Sequence, residues 1–210
     1  MIKFSIKRIA FIAIFSAITT VLYCYLKFNL PIFPAWLDIN FSMLPIIICA
    51  FMLGPIDASI VVVIRFILKL LLVGTATSYV GELADLLLGV ITVFVCGSIY
   101  KYTNWKYKTL LSFVSVIFVW TIISIFVNMY INIPFFVKFF FKDNWDSLIL
   151  ACGDCFKLIT FGKITEVNQS NFMFYYILLG IIPFNLLLSS IVVGITLPVH
   201  SRLKVMYDRI

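Results

Sequence analysis

The longest uncharged stretch of this sequence is the strongest constraint on its fold. Between Glu166 and Arg202 the chain has no Lys, Arg, Asp or Glu, and about 20 predominantly apolar residues suffice for a helix to cross a bilayer. The stretch nevertheless carries Pro183 and Asn185 well inside its apolar part. An amide in hydrocarbon costs about 2–7 kcal/mol unless it is hydrogen-bonded, and polar groups at membrane depth are often functional. Asn185 is therefore predicted to contact another helix or a ligand.

The composition places the chain among membrane proteins. Hydrophobic residues make up 63% of the 210 residues and charged residues 12%, whereas soluble domains have about 45–50% apolar and about 25% charged residues. The sequence therefore predicts an all-α integral membrane protein. No stretch is polar enough to form a separate soluble catalytic domain.

The net charge of +7 would suit a nucleic-acid-binding protein, but the positions of the cations indicate membrane topology instead. Nine of the sixteen fall in three short segments: Lys3, Lys7 and Arg8; Lys101, Lys106 and Lys108; Arg202, Lys204 and Arg209. Basic residues accumulate on the cytoplasmic side of membrane proteins. Both termini and the middle segment are therefore predicted to be cytoplasmic, with an even number of crossings.

The apolar stretches predict six transmembrane helices in a single membrane domain that covers residues 1–210. Their approximate bounds are 6–26, 41–53, 56–73, 81–100, 109–131 and 172–199. On the external side, the proline-restricted loop 28–40 contains Trp36, an aromatic residue suited to the membrane interface. The connection 132–171 is also external, and because long ordered connections are usually functional, it is a candidate lid or binding loop.

Four charged residues lie within or beside the third and fourth predicted helices. Arg65 and Lys69 are four residues apart and share one helix face, while Glu82 and Asp85 begin the next helix. Opposite charges brought together lower the cost of charge at membrane depth. Arg65, Lys69 and Glu82 are predicted to pair and to pin the two helices. Asp85 lies deeper along its helix and is the better ligand candidate.

Asn128, near the outer end of the fifth predicted helix, has two possible roles. As a bond between helices it would contribute about 0.6–2 kcal/mol per hydrogen bond. Alternatively, Asn128, Asn185 and Asp85 could converge on the edge of a planar molecule with a polar rim, while aromatic side chains cover its faces.

Missing residue sets exclude several chemistries. The sequence has no GxxxxGK[ST] loop for nucleotide hydrolysis. Its single histidine, His200, is predicted to lie at the membrane interface, and no Ser/His/Asp set can be assembled. An enzyme is therefore not expected, and transport would need energy from another protein. Cys152 and Cys155 form a lone CxxC, for which a disulfide and a metal site both remain open.

Five short segments, taken in order, resemble the riboflavin-specific S-components of energy-coupling-factor (ECF) vitamin transporters. The segments are Phe33–Ser42 with Leu44–Pro45, Ala50–Pro55, Gly74–Ser78, Val80–Ala84 and Gly180–Asn185. This resemblance implies a six-helix protein of the bacterial plasma membrane that captures riboflavin from outside, without a cofactor of its own. It also implies three partner subunits, a transmembrane coupling subunit and two ATPases.

The resemblance also implies roles for individual residues. Asn128 and Asn185 fit the family's asparagines that contact the flavin, and Trp36 and Asn40 lie in the first matching segment. These four residues, together with Asp85 and Leu188, are the predicted substrate contacts. On the first helix, small side chains share nearly one face, which lets another helix approach closely. These side chains belong to Ala10, Ala13 and Ala17. Ala13 and Ala17 fit the small-residue motif through which the family contacts the coupling subunit.

The chain departs from the family pattern near the expected pocket. Asp85 stands where riboflavin-specific members usually have asparagine, and Leu188 stands where a lysine is common. Where the family has a Lys-Asn pair in the third helix, this chain has Arg65-Phe66. The acidic residue that usually precedes Leu44-Pro45 is absent, and Asn40 lies nearby. The missing lysine is expected to weaken recognition of an anionic flavin such as FMN, and Asp85 is expected to favour a neutral ligand that offers hydrogen-bond donors. An S-component for another vitamin or flavin-like compound, and a structural membrane protein, are the alternatives.

Overall fold

The fold is a helical bundle with one small β-hairpin. The structure is a computed structural model that describes residues 6–163 and 166–207, with side chains described up to Leu203. Within these residues the elements, in chain order, are α1 (Ile6–Tyr25), β1 (Lys27–Asn29), β2 (Asp38–Asn40), α2 (Met43–Met52), α3 (Pro55–Leu72), α4 (Val80–Tyr102), α5 (Lys108–Phe140), α6 (Trp145–Ile159) and α7 (residues 169–207). The cations Lys3 and Arg209 lie outside the described residues.

Four of these helices, α1, α4, α5 and α7, are long and apolar enough to cross a membrane. Helix α3 has 18 residues but carries Asp57, Arg65 and Lys69, and α2 has only 10 residues. The four long apolar helices agree with the predicted class, a helical membrane protein. The predicted count of six spans is not confirmed, since the described part of the chain forms seven helices.

The segments between the long helices are more ordered than the sequence suggested. The loop 28–40 contains a hairpin in which β1 and β2 pair antiparallel, Lys27 opposite Asn40, so the fold is not purely helical. Within the connection 132–171, α5 continues to Phe140 and α6 forms a separate helix. Helix α6 is stable here because Leu148, Cys152 and Phe156, spaced four residues apart, bury one face against the start of α7.

Two prolines inside long helices coincide with widened, π-helical turns. In α5 the π segment Asn128–Asn132 ends two residues before Pro134, and in α7 the segment Tyr176–Ile181 ends two residues before Pro183. A helical proline removes one backbone hydrogen bond and its ring crowds the preceding turn, and a π-bulge is one way for a helix to accommodate such a disturbance. A third such turn, Phe136–Phe140, follows Pro134 at the end of α5. The turns Asn128–Asn132 and Tyr176–Ile181 lie next to each other, because the Tyr176 hydroxyl donates to Oδ1 of the buried Asn128.

The bundle has two ends that differ in chemistry. The terminal end (Arg8, Gly54, Tyr100 and His200) is held by a two-point ion pair in which Arg8 donates to both oxygens of Asp57, at 2.6 and 2.7 Å. His200 is buried there, with its ring centroid 5.1 Å from that of Phe51. The position of His200 at the membrane interface stays a prediction. The structure adds that α7 continues past His200 and packs its ring into an aromatic cluster.

Candidate functional site

The opposite end of the bundle, called the pocket end, contains a cavity of about 640 Å³. The β-hairpin, the end of α1, the start of α4, and the middle of α5 and α7 surround it. Small-molecule sites are usually clefts of about 300–1,000 Å³ with a few convergent polar groups. All six side chains proposed from the sequence as substrate contacts line this cavity: Trp36, Asn40, Asp85, Asn128, Asn185 and Leu188.

Asn185 is held firmly by α5. Its Oδ1 accepts hydrogen bonds from Trp120 Nε1 at 3.0 Å and from Ser124 Oγ at 2.9 Å. Its Nδ2 donates to the carbonyl of Ile181 at 2.8 Å. Both acceptor positions of Oδ1 are therefore used within the protein, while one amide N–H is left to donate to a ligand. Sequence reasoning missed Trp120 and Ser124 as the partners.

Asn128 is the centre of a second network, which reaches the hairpin. Its Oδ1 accepts from the phenol of Tyr176 at 3.1 Å and from Asn132 Nδ2 at 3.2 Å, while its Nδ2 donates to the Ser124 carbonyl at 2.9 Å. Trp36 Nε1 in turn donates to the Tyr176 hydroxyl at 2.9 Å. Asn128 thus both bonds helices together and lines the cavity, with one amide N–H still available.

Arg65 connects three helices behind the cavity wall. It donates from Nη2 to Asp85 Oδ2 and from Nη1 to Ser42 Oγ at 2.7 Å, and its Cζ lies 4.6 Å from the ring centroid of Tyr23. Arg65 is only 1% exposed, whereas the Asp85 side chain is 29% exposed. The Asp85 carboxylate is therefore accessible from the cavity, whereas the Arg65 guanidinium that balances its charge is buried behind the cavity wall.

The other charged residues in the cavity lining are also paired. Lys69 donates to Glu82 Oε1 and to the carbonyl of Gly74. The hydroxyls of Thr75 and Thr77 donate to Glu82 Oε2 at 2.9 and 2.6 Å. The predicted pairing of α3 and α4 is thus found, with the difference that Arg65 takes Asp85 as its partner. A further pair, Lys27 with Asp38 at 3.0 Å, joins the two strands of the hairpin.

Asn40 and Leu188 contribute to the cavity in different ways. Asn40 Oδ1 accepts from the Ser42 backbone N–H at 3.2 Å and from its hydroxyl at 2.6 Å. It therefore positions the hydroxyl that receives the Arg65 bond. Leu188 is 3% exposed and adds an apolar surface one turn beyond Asn185.

The CxxC on α6 consists of two free thiols. Cys152 is fully buried and Cys155 is nearly so. Burial raises the pKa of Cys152 to about 12, so that thiol stays protonated at neutral pH and is a poor nucleophile or metal ligand. No group of three or more His, Cys, Asp or Glu residues able to hold a metal ion is found among the residues that the structure describes.

The small-residue face of α1 points away from the cavity. Ala10, Ala13 and Ala17 are exposed on the outside of the bundle, where the large neighbours Ile14 and Ile18 are exposed as well. Helix α1 also buries a smaller share of its residues than α4, α5 or α7. This face is accessible to another membrane helix.

Comparison with known proteins identifies the family. The sequence model of the family described as "ECF transporter, substrate-specific component" matches residues 7–200. The chain therefore belongs to the substrate-specific components of ECF transporters, and as a transporter component it is not an enzyme.

Individual relatives agree with this family. The chain is 33% identical over 141 residues to the riboflavin transporter RibU of Leuconostoc mesenteroides, covering 64% of this chain and 70% of the relative. It is 26% identical over 204 residues to RibU of Staphylococcus aureus, covering 97% and 94%. A solved structure, titled "Structure and mechanism of the S component of a bacterial ECF transporter", shares the fold with a TM-score of 0.68 at 24% identity, covering 95% of this chain and 96% of the other.

Proposed function

We propose that this chain is the riboflavin-binding subunit of an ECF importer. It captures riboflavin outside the bacterial plasma membrane, and separate coupling and ATPase subunits drive uptake. The family and the names of both curated relatives support this proposal. The observation that carries it is the cavity in which Asn128, Asn185 and Asp85 meet.

The chemistry of the cavity suits a flavin. A flavin has a flat tricyclic ring with carbonyls and an imide N–H at one edge, and a ribityl chain with hydroxyls. The remaining amide N–H groups of Asn128 and Asn185 match acceptors on the ring edge, and Asp85 accepts from an N–H or a hydroxyl. Trp36, Trp120 and Phe184 supply aromatic surface in the same lining.

The membrane arrangement is part of the proposal. We take residues 1–210 as one membrane domain in which α1 to α5 and α7 are the six crossing helices, with both termini cytoplasmic. Helix α6 then lies on the outer side within the connection 132–171, beside the cavity. The face of Ala10, Ala13 and Ala17 contacts the coupling subunit, because small side chains permit close helix approach.

A direct binding measurement tests this function. The protein is purified in detergent and inspected for flavin absorbance. After removal of any bound flavin, it is titrated with riboflavin while the flavin fluorescence is recorded. Quenching that saturates with one flavin per chain is expected, because the ring would lie beside Trp36 and Trp120. A protein that leaves micromolar riboflavin fluorescence unchanged refutes riboflavin as the ligand, and other vitamins then become the candidates.

The charges of the cavity predict discrimination against phosphorylated flavin. Wild-type protein is expected to bind riboflavin at least about tenfold more tightly than FMN, since Lys27 and Lys69 are already paired and a buried phosphate without a free cation is costly. Leu188→Lys is expected to narrow this difference by placing an ammonium in the cavity wall. Parallel fluorescence titrations with riboflavin and FMN measure the ratio of the two affinities, and Leu188→Met serves as the uncharged control. Equal affinity of the wild type for both flavins contradicts the prediction.

A further inference from the structure

The terminal end of the bundle has a second cavity, and the charged residues of its described lining are both cationic. Its volume is about 180 Å³, and it lies between the end of α2, Gly54, the end of α4 and the start of α5. Lys101 and Lys108 are the charged residues in its described lining. Neither ammonium forms an ion pair with a residue that the structure describes. Among the described acids, the one at this end is Asp57, which Arg8 already binds.

Within the described part of the chain, the contacts around these two lysines supply no negative charge. Lys108 Nζ lies 5.2 Å from the ring centroid of Tyr100, and Lys101 Nζ lies 5.6 Å from that of Tyr102. Such contacts orient an ammonium over a ring face but supply no negative charge. Helix α5 also begins at Lys108 without an acidic residue in its first turn, so its N-terminal dipole adds to the positive potential. An anion in the cavity would be attracted by all three groups.

Exposed aromatic residues beside this cavity indicate the depth of lipid headgroups. Tyr102, Trp105 and Tyr107 are exposed in the short connection between α4 and α5, and exposed Tyr and Trp residues collect at membrane–water interfaces. One turn further along α5, Leu110 and Leu111 are exposed and apolar, as expected of a surface that faces acyl chains. Basic pockets between membrane helices bind anionic lipid headgroups.

We propose that this cavity is a binding site for the phosphate of an anionic phospholipid. The ammonium groups of Lys101 and Lys108 hold the headgroup, and the acyl chains run along the exposed face of α5. The site is at the other end of the bundle from the cavity of Asp85 and Asn185, so it does not depend on which ligand that cavity takes.

Native mass spectrometry in detergent with added phosphatidylglycerol or phosphatidylcholine tests the proposal. The variant Lys101→Gln/Lys108→Gln removes the two ammoniums, and Lys138→Gln/Lys142→Gln removes the same charge from exposed positions at the other end. Wild type and the control are expected to retain phosphatidylglycerol, and the cavity variant is expected to bind it about tenfold less tightly. Phosphatidylcholine binding is expected to be the same in all three. A thermal unfolding midpoint equal to that of the wild type in the absence of lipid confirms that the variant is folded.

Two outcomes overturn this assignment. The first is equal retention of phosphatidylglycerol by the cavity variant and the control. Both variants lack two positive charges, so equal retention would mean that binding depends on the net charge of the protein and not on Lys101 and Lys108. The second comes from thermal unfolding of delipidated protein with either inorganic phosphate or phosphatidylglycerol added. If inorganic phosphate raises the unfolding midpoint of the wild type as much as phosphatidylglycerol does, the cavity takes a soluble anion rather than a lipid headgroup.

Discussion

Replacement of Arg65 by methionine is expected to lower the free energy of unfolding by about 3 kcal/mol. The guanidinium is buried, and its loss leaves the Asp85 carboxylate without a counter-charge and Ser42 Oγ without its donor. Removing one partner of such a pair costs more than the pair contributes, because a charge stays behind in a poorly solvated place. Thermal and chemical unfolding of the purified protein in detergent measures the loss.

A double variant tests whether the unpaired charge is the cause. Arg65→Met combined with Asp85→Asn removes both charges, and its stability is expected to lie above that of Arg65→Met alone. Lys157→Met serves as a control, because its ion pair with Asp154 is exposed and 3.9 Å long, and it is expected to change stability by less than about 0.5 kcal/mol. Asp85→Asn is measured as the second single variant. If the losses of unfolding free energy in Arg65→Met and Asp85→Asn simply add in the double variant, Arg65 acts through packing and not through Asp85.

Asn185→Ala is expected to reduce both riboflavin affinity and stability. The affinity should fall about 5- to 150-fold, which corresponds to about 1–3 kcal/mol for a lost ligand hydrogen bond. The stability should fall by about 2 kcal/mol because Trp120 Nε1 and Ser124 Oγ lose their shared acceptor. Fluorescence titration and thermal unfolding, carried out on the same preparation, separate the two effects.

The control for this variant is Ser189→Ala, one turn further along α7. Ser189 is buried and its hydroxyl donates to the Asn185 carbonyl at 2.6 Å, but it does not belong to the cavity lining. It is expected to lower stability modestly and to leave riboflavin affinity unchanged. If Asn185→Ala is destabilised and yet binds riboflavin like the wild type, the amide serves only to hold α5 and α7 together.

The polar residues that line the cavity could be predicted because they stand out against apolar helices. Asn128, Asn185 and Asp85 each carry a group that is costly to bury, so each had to have a partner. The pair of Lys69 with Glu82 followed from their spacing across a short connection. The pairing of Arg65 with Asp85 could not be predicted from the sequence, because it depends on the depth of each side chain once α3 and α4 pack together.

The partners of the asparagines could not be predicted. Trp120, Ser124 and Tyr176 are ordinary residues of membrane helices, and nothing local marks them. Their contacts join positions 48 to 65 residues apart in the chain. The β-hairpin was missed because strands of three residues show too little alternation. The widened turns had a visible signal in the prolines at 134 and 183, but a proline alone does not say whether a helix bends, stops or adds a residue to its turn.

The phenol of Tyr176 bonds two neighbours that belong to different parts of the molecule. It accepts from Trp36 of the hairpin and donates to Asn128 of the wall. A ligand group that accepts from the remaining N–H of Asn128 would polarise the same amide whose oxygen accepts from this phenol. The amide in the cavity wall and the hairpin are therefore connected through a single hydroxyl.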